Sequence, residues 1–294
     1  MNKENRAPKS RGRRLMQVLA YVWFILFTLC VLLPFYVVLK NSFTSEKEML
    51  STMRFEWFPQ MGATVEAFKT ALFSDVLNAY GINIFRSFFN TLWQGVPTLL
   101  IGLFVSGLAA FAYAKLDFPG KKILFSVTLA TMMIPGAVMT MPSYIFYDSI
   151  GWSHTVLPVM IPGMFGGAIT VFFLRQFFAG IPTDLVEAAK IDGMGFMRIY
   201  TSIMIPLAKS AFLAQFIFGF IGAYNNYMAP LLYLNGQTTL YPLQIALSLF
   251  RGIYSGNEAV VAAFTVLALL PLLLVYVFLQ KYFVEGIATT GVKG

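Results

Sequence analysis

Few side chains in this sequence could do chemistry, and their spacing decides what kind. There is one histidine, His154, and one cysteine, Cys30. One of each excludes a Cys/His metal cluster and any disulfide within the chain. A serine–histidine nucleophilic pair would have to use His154, which lies in a short turn and is poorly placed for it. Nucleotide chemistry fares no better. The Gly-Lys pair is Gly120-Lys121, and Lys115 stands where a phosphate loop needs its first glycine. Gly193-Met194-Gly195 has no strand before it, and Arg198 holds the third glycine position of a dinucleotide fingerprint. What remains is a short polar stretch, "EAAKIDGMG", from Glu187 to Gly195. Glu187 offers a carboxylate to a basic group on another surface. Ala188 and Ala189 let another backbone come close. Gly193 ends a helix, because glycine takes positive φ cheaply. This is the chemistry of recognition, with no catalytic residue and no metal ligand.

The elements that must hold this stretch are membrane spans. Charged residues make up 12% of the chain and mean hydropathy is +0.71, whereas a soluble domain carries about 25% charged residues. Crossing the hydrocarbon core takes ~20 apolar residues. Charge-free runs place spans at 15–39, 87–114, 123–147, 155–174, about 210–232 and 259–280. The first is too long for a cleaved signal peptide and lacks a small-residue cleavage site. Six spans put both termini on one side. Fifteen of the 21 Lys and Arg residues fall in segments on that side and six on the other, so the positive-inside bias makes the termini cytoplasmic. The net charge of +8 is then an orientation signal and calls for no nucleic acid. On the outer side, 40–84 is polar and aromatic and holds a short helix in "ATVEAFKTALF". A second outer loop covers 233–257.

The polar stretch falls in the cytoplasmic segment between spans four and five. Pro182 suits the start of a helix. Asp184 and Glu187 have capping-box spacing. Past the glycines, Phe196, Ile199, Tyr200 and Ile203 fall on one face of a second helix, and Pro206 breaks it before span five. The prediction is a helix-turn-helix corner on the cytoplasmic face. Its first helix is acidic (Asp184, Glu187, Asp192 against Lys190), unlike a lipid-lying helix, which carries a basic face. That favours a protein partner. Ionisable residues are nearly absent from the spans, which speaks against an ion-coupled secondary transporter. A membrane protein without its own energy source, carrying a structured cytoplasmic corner, reads as a translocation subunit driven by another protein.

"EAAKIDGMGFMRIYTSIMIP" resembles the EAA loop of permease subunits in ABC importers. The pattern is E-A-A, three residues, G, nine residues, I-x-L-P, with Ile205 in place of the leucine. "AYAKLDFPGKK", "FFLRQFFAGIPTDLVEAAKIDG", "YNNYMAPLLYLN" and "QKYFVEGIATTGVKG" are similar to the carbohydrate branch, the second permease of maltose-type systems. The resemblance implies an all-α polytopic fold of the type I ABC importer. The resemblance covers about 85–294 and span one more loosely; with the charge-free runs, the chain divides into a basic amino terminus (1–14), a first transmembrane helix (15–39), an extracytoplasmic loop (40–84), a permease domain (85–280) and a cytoplasmic tail (281–294). The resemblance also implies a second homologous permease as heterodimer partner, two ATPase subunits that bind ATP and Mg, and an extracellular solute-binding protein. No cofactor is bound by this chain. Glu187, Ala188, Ala189 and Gly193 become the ATPase-coupling residues. Segment 233–257 would probe the binding protein, and 281–294 would reach the ATPases. For the pathway, "YNNY" stands out: Tyr224, Asn225 and Asn226 offer stacking and hydrogen bonds to a sugar, although Asn pairs also glue membrane helices together. The cargo alternative is a sugar-like solute such as glycerol phosphate.

Overall fold

The computed structural model describes residues 11–51 and 54–291, apart from the side chains of residues 11, 13, 14 and 281–291. The expected basic amino terminus lies largely outside the described residues. The tail expected from 281 continues as helix to Gly291, and its side chains and residues 292–294 also lie outside them.

The described residues are helical, with no strand among them. Four helices are long and apolar enough to cross a membrane: Leu15–Ser42, Ile84–Lys115, Leu157–Ala179 and Glu258–Gln280. Two bent pairs complete the set, Lys121–Thr131 with Gly136–Ser149 at 96°, and Phe196–Leu207 with Lys209–Tyr224 at 82°. Counting each pair once gives the six expected spans. Span three reads in the sequence as one charge-free run whose Pro135 and Pro142 kink or break it. The chain breaks there, because Pro135 lacks an amide hydrogen and biases Ile134 away from helix, so the winding stops and restarts at Gly136. Before span five the break falls at Ala208, two residues beyond Pro206. Span four is also interrupted. Its halves, Leu157–Met164 and Ala168–Ala179, flank Gly166, whose φ of +86° needs a residue without a Cβ.

The chain forms two compact units. The first combines Met1–Phe73 with Tyr254–Leu267. Its span-one helix is exposed along its apolar length, as suits a lipid-facing helix. Beyond that helix the buried carboxylate of Glu48 accepts hydrogen bonds from the backbone N–H groups of Gln60 (2.7 Å) and Met61 (3.0 Å). Phe43 packs on Phe68 of the short helix Glu66–Leu72, the one expected in this segment.

The second unit, Ser74–Ile253 with Ala268–Gly294, is built around span two, Ile84–Lys115. Where lipid replaces water, apolar burial between helices gains little, and close packing of small residues takes over. Span two does this along its length. A Cβ at Gly102 would strike the carbonyl of Gly163 in span four. One at Gly107 would strike the Tyr200 hydroxyl and come within 2.6 Å of the Phe212 ring. Ser106 accepts a hydrogen bond from the N–H of Gly167 at 3.1 Å, where span four is interrupted. Span three packs at the rim, with no buried residue in either half; its Phe125 meets the Tyr113 ring of span two and lies under the Arg175 guanidinium of span four.

Candidate functional site

The corner is a helix, Asp184–Ile191, a turn, and a second helix from Phe196. The expected capping box does not form. Thr183 holds the cap position with helical dihedrals (φ −69°, ψ −28°), and no side chain caps the amides. The end of span two secures it instead. The Lys115 ammonium donates to the Ile181 carbonyl and to the Thr183 hydroxyl, the latter at 3.3 Å. At the other end the expected glycine stop is present with its mechanism. Gly193 has φ +77°, its N–H bonds to the Lys190 carbonyl at 3.0 Å, and the Met194 N–H bonds to the Ala189 carbonyl at 2.9 Å. This is the paired hydrogen-bond pattern of a Schellman motif.

The helix has two faces of different character. Val186 and Ala189 are buried in the chain's own core. Glu187 and Ala188 face out, together with Ile191, which is 87% exposed. Ala189 therefore cannot meet a partner as its neighbour Ala188 can. At 100° per residue it follows Val186 by one inward turn, and its small size lets this helix approach the spans beneath it. Ile191 was missed in the sequence. Its signal is the i, i+4 spacing from Glu187, which sets an apolar side chain beside the carboxylate on the outward face.

The second helix also departs from the expected pattern. Tyr200–Met204 winds as a π-helix, which adds a residue to the turn. The inward positions become Ile199, Tyr200 and Met204, while Phe196 is exposed and Ile203 only half-buried. Tyr200 reaches deep into span two. Its hydroxyl donates to the Phe104 carbonyl at 2.8 Å, and its ring packs against Phe104 and Phe111. Gly107 provides the space. Both helices of the corner thus share one core with Phe111 of span two and Leu174 and Phe178 of span four.

The span-five candidates lie elsewhere. The helix Lys209–Tyr224 has 16 residues, about 24 Å of rise, and it separates them from the corner. Tyr224 is buried and donates to the Ala268 carbonyl of span six at 2.8 Å, so its hydroxyl is committed to helix packing and is closed to a passing solute. The helix stops at Asn225 and resumes as Met228–Tyr233. Asn225 accepts a hydrogen bond from Gln244 at 3.1 Å. Asn226 lines a cavity of about 260 Å³ whose other wall is span two.

That wall carries residues the sequence reading passed over. Asn90 donates to the carbonyls of Thr239 (2.9 Å) and Tyr241 (3.1 Å), and Gln94 to that of Leu240 (2.8 Å). Thr91 accepts from the N–H of Leu243 at 2.8 Å. Segment 239–243 is thereby strapped across span two. The readable signal was Asn90, Thr91, Gln94 and Thr98, a polar face at helical spacing in an otherwise apolar run.

A corner packed into span ends, beside a broken span with a polar interior, matches a known architecture. The family model described as "Binding-protein-dependent transport system inner membrane component" matches residues 102–289. The chain belongs to this family. Its members are permease components of ABC importers, multi-pass membrane proteins that work with an ATPase and a solute-binding protein. This permease is 31% identical over 280 residues to the arabinooligosaccharides transport system permease protein AraQ of Bacillus subtilis, covering 93% of this chain and 94% of that one. It is 31% identical over 229 residues to the sn-glycerol-3-phosphate transport system permease protein UgpE of Brucella abortus, covering 77% and 80%. Its fold is that of a chain in a bacterial ABC transporter involved in the import of the acidic polysaccharide alginate, with TM-score 0.81 and 24% identity over 94% of this permease and 99% of that chain.

Proposed function

We propose that this permease carries a carbohydrate inward across the cell membrane, with both termini in the cytoplasm and an ATPase seated on the outward face of Asp184–Ile191. The observation that carries the reading is the division of that helix. Glu187, Ala188 and Ile191 are free to meet a partner, while Val186 and Ala189 are locked into a core shared with spans two and four. A push on the outer face reaches the spans without a flexible joint. ATP shifts the inward/outward balance only by binding the two states unequally, and a rigid corner lets that difference be felt in the membrane. ATP and Mg belong to two ATPase subunits, and a second permease completes the pore. An oligosaccharide is the favoured cargo, supported by the near full-length match to AraQ. Glycerol phosphate is the alternative, since the shorter match to UgpE is equally identical.

The test is reconstitution with the partner permease, the ATPase and the binding protein. Glu187→Ala is expected to abolish most solute-stimulated ATP hydrolysis. Unchanged assembly and hydrolysis would sink the coupling role, and uptake without the ATPase would make the chain a secondary transporter. Thermal-shift screening of the binding protein with arabinotriose, maltotriose and glycerol 3-phosphate decides the cargo class.

A further inference from the structure

Segment 54–61 holds Phe55, Trp57 and Phe58 with 53%, 58% and 70% of their surfaces exposed. Water penalises such an apolar patch, yet the chain holds this one in place from two sides. On one side the buried carboxylate of Glu48 accepts hydrogen bonds from the backbone N–H groups of Gln60 and Met61. The Gln60 side-chain amide donates to the Phe58 carbonyl at 3.1 Å. On the other side the segment is fastened to the end of span one. The Tyr36 hydroxyl donates to the Trp57 carbonyl, and the two rings lie 6.1 Å apart. Phe55 meets Trp57 edge-on at 5.0 Å, and the Lys40 ammonium stands 5.7 Å from the centre of the Phe55 ring. The exposure of these rings is therefore imposed by an ordered turn.

The same contacts set their depth. Tyr36 lies inside the charge-free run 15–39 of span one, and Lys40 is the first charge after it. Four residues separate the two, about 6 Å of helical rise. Trp57 and Phe55 thus meet span one at the level where hydrocarbon gives way to headgroups. Phe35 and Leu39 on the same turns of span one are exposed as well, so the patch continues the lipid-facing surface of that helix. Tryptophan favours this boundary, because its ring is apolar and its N–H polar. A lysine there buries its stem and keeps its ammonium among the headgroups.

We propose that 54–61 is an interfacial anchor, a turn folded back beside span one whose Phe55, Trp57 and Phe58 are immersed in the headgroup boundary of the phospholipid bilayer. With the termini in the cytoplasm this is the outer leaflet. A helix exposed along its apolar length has little packing to set its depth and tilt, and the anchor supplies what is missing. The inference goes beyond the transport reading. It needs only that span one crosses the bilayer, whichever side the termini take and whatever the cargo.

The test places one nitroxide label on the full transporter in proteoliposomes, with Cys30→Ser in this permease and partner subunits free of cysteine. The label is carried by Phe58→Cys, by Phe27→Cys in the middle of span one as the lipid reference, or by Glu66→Cys on the exposed helix Glu66–Leu72 as the aqueous one. The Phe58 ring takes part in none of the contacts above, so its replacement leaves the turn intact. Where that variant does not assemble, Met61→Cys, exposed on the same turn, replaces it. Electron paramagnetic resonance reads the label's collisions with oxygen, which concentrates in hydrocarbon, and with a nickel chelate, which stays in water. The expected oxygen-to-nickel ratio at position 58 is several-fold above that at 66 and below that at 27. A ratio equal to that at 66 means that the rings face water, and it overturns the anchor. A label shut off from both reagents overturns it as well and makes the patch a protein-docking surface.

Discussion

Lys115 and Thr183 are 68 residues apart in sequence and 3.3 Å apart in the fold. The ammonium at the end of span two grips the start of the loop helix through the Thr183 hydroxyl and the Ile181 carbonyl. Charge-assisted hydrogen bonds of this kind are roughly twice as strong as neutral ones. Replacing Lys115 by Met keeps most of the stem and removes the donors. The complex should still assemble, while binding-protein-stimulated ATP hydrolysis falls several-fold and basal hydrolysis stays. Thr183→Ala, which removes one of the two acceptors, should show a smaller loss. Equal stimulation in wild type and Lys115→Met would mean that the grip plays no part in coupling.

Gly107 makes room for Tyr200, and a methyl group there would meet the Tyr200 hydroxyl and the Phe212 ring. Gly107→Ala should cost about 1–3 kcal/mol through overpacking, read as a lower Tm of the purified complex. Tyr200→Phe deletes the colliding oxygen along with its bond to Phe104, so the double variant should lose less than the sum of the single losses. Strict additivity would show that the two positions do not meet as described.

Tyr224→Phe separates packing from transport. The hydroxyl lost is the one that bonds the Ala268 carbonyl, and interhelical bonds of this type contribute on average about 0.6 kcal/mol in membranes. Tm should drop slightly, and the ranking of imported solutes should not change. An altered solute preference would return Tyr224 to the pathway.

Asn90 holds the strap by two carbonyls at once. In Asn90→Ala, hydrogen exchange at the amides of 239–243 should rise, with exchange in Asp184–Ile191 unaffected. If the strap exchanged no faster, Gln94 and Thr91 would be sufficient to hold it.

Much of this was legible before any coordinates. Charge-free runs located six spans, and the glycine after "EAAKID" marked a helix end that Gly193 makes with φ +77°. What escaped the reading was which apolar side chains face protein and which face lipid. In a soluble helix polarity labels the outside, but in a span both faces are apolar. Nothing in the local pattern of span three therefore leaves Met133 84% exposed. The π-helix at Tyr200–Met204 shifted the inward register by one residue, which a 3.6-residue period cannot foresee. Lys115 looked like an orientation charge because its partners lie two spans further along the chain. Gln94 was hidden by its neighbours. One amide in a long apolar run reads as noise until Asn90, Thr91 and Thr98 are set on the same face.

The split character of the Asp184–Ile191 helix bears on how such subunits could be re-engineered. Positions 187, 188 and 191 answer to whatever docks from outside, whereas 186 and 189 answer to this chain's own spans. A designer fitting the permease to a foreign ATPase can recut the first set freely. Swapping the whole helix as a cassette would also exchange the inward position 186, so a graft has to be fitted to these spans as well as to its new motor.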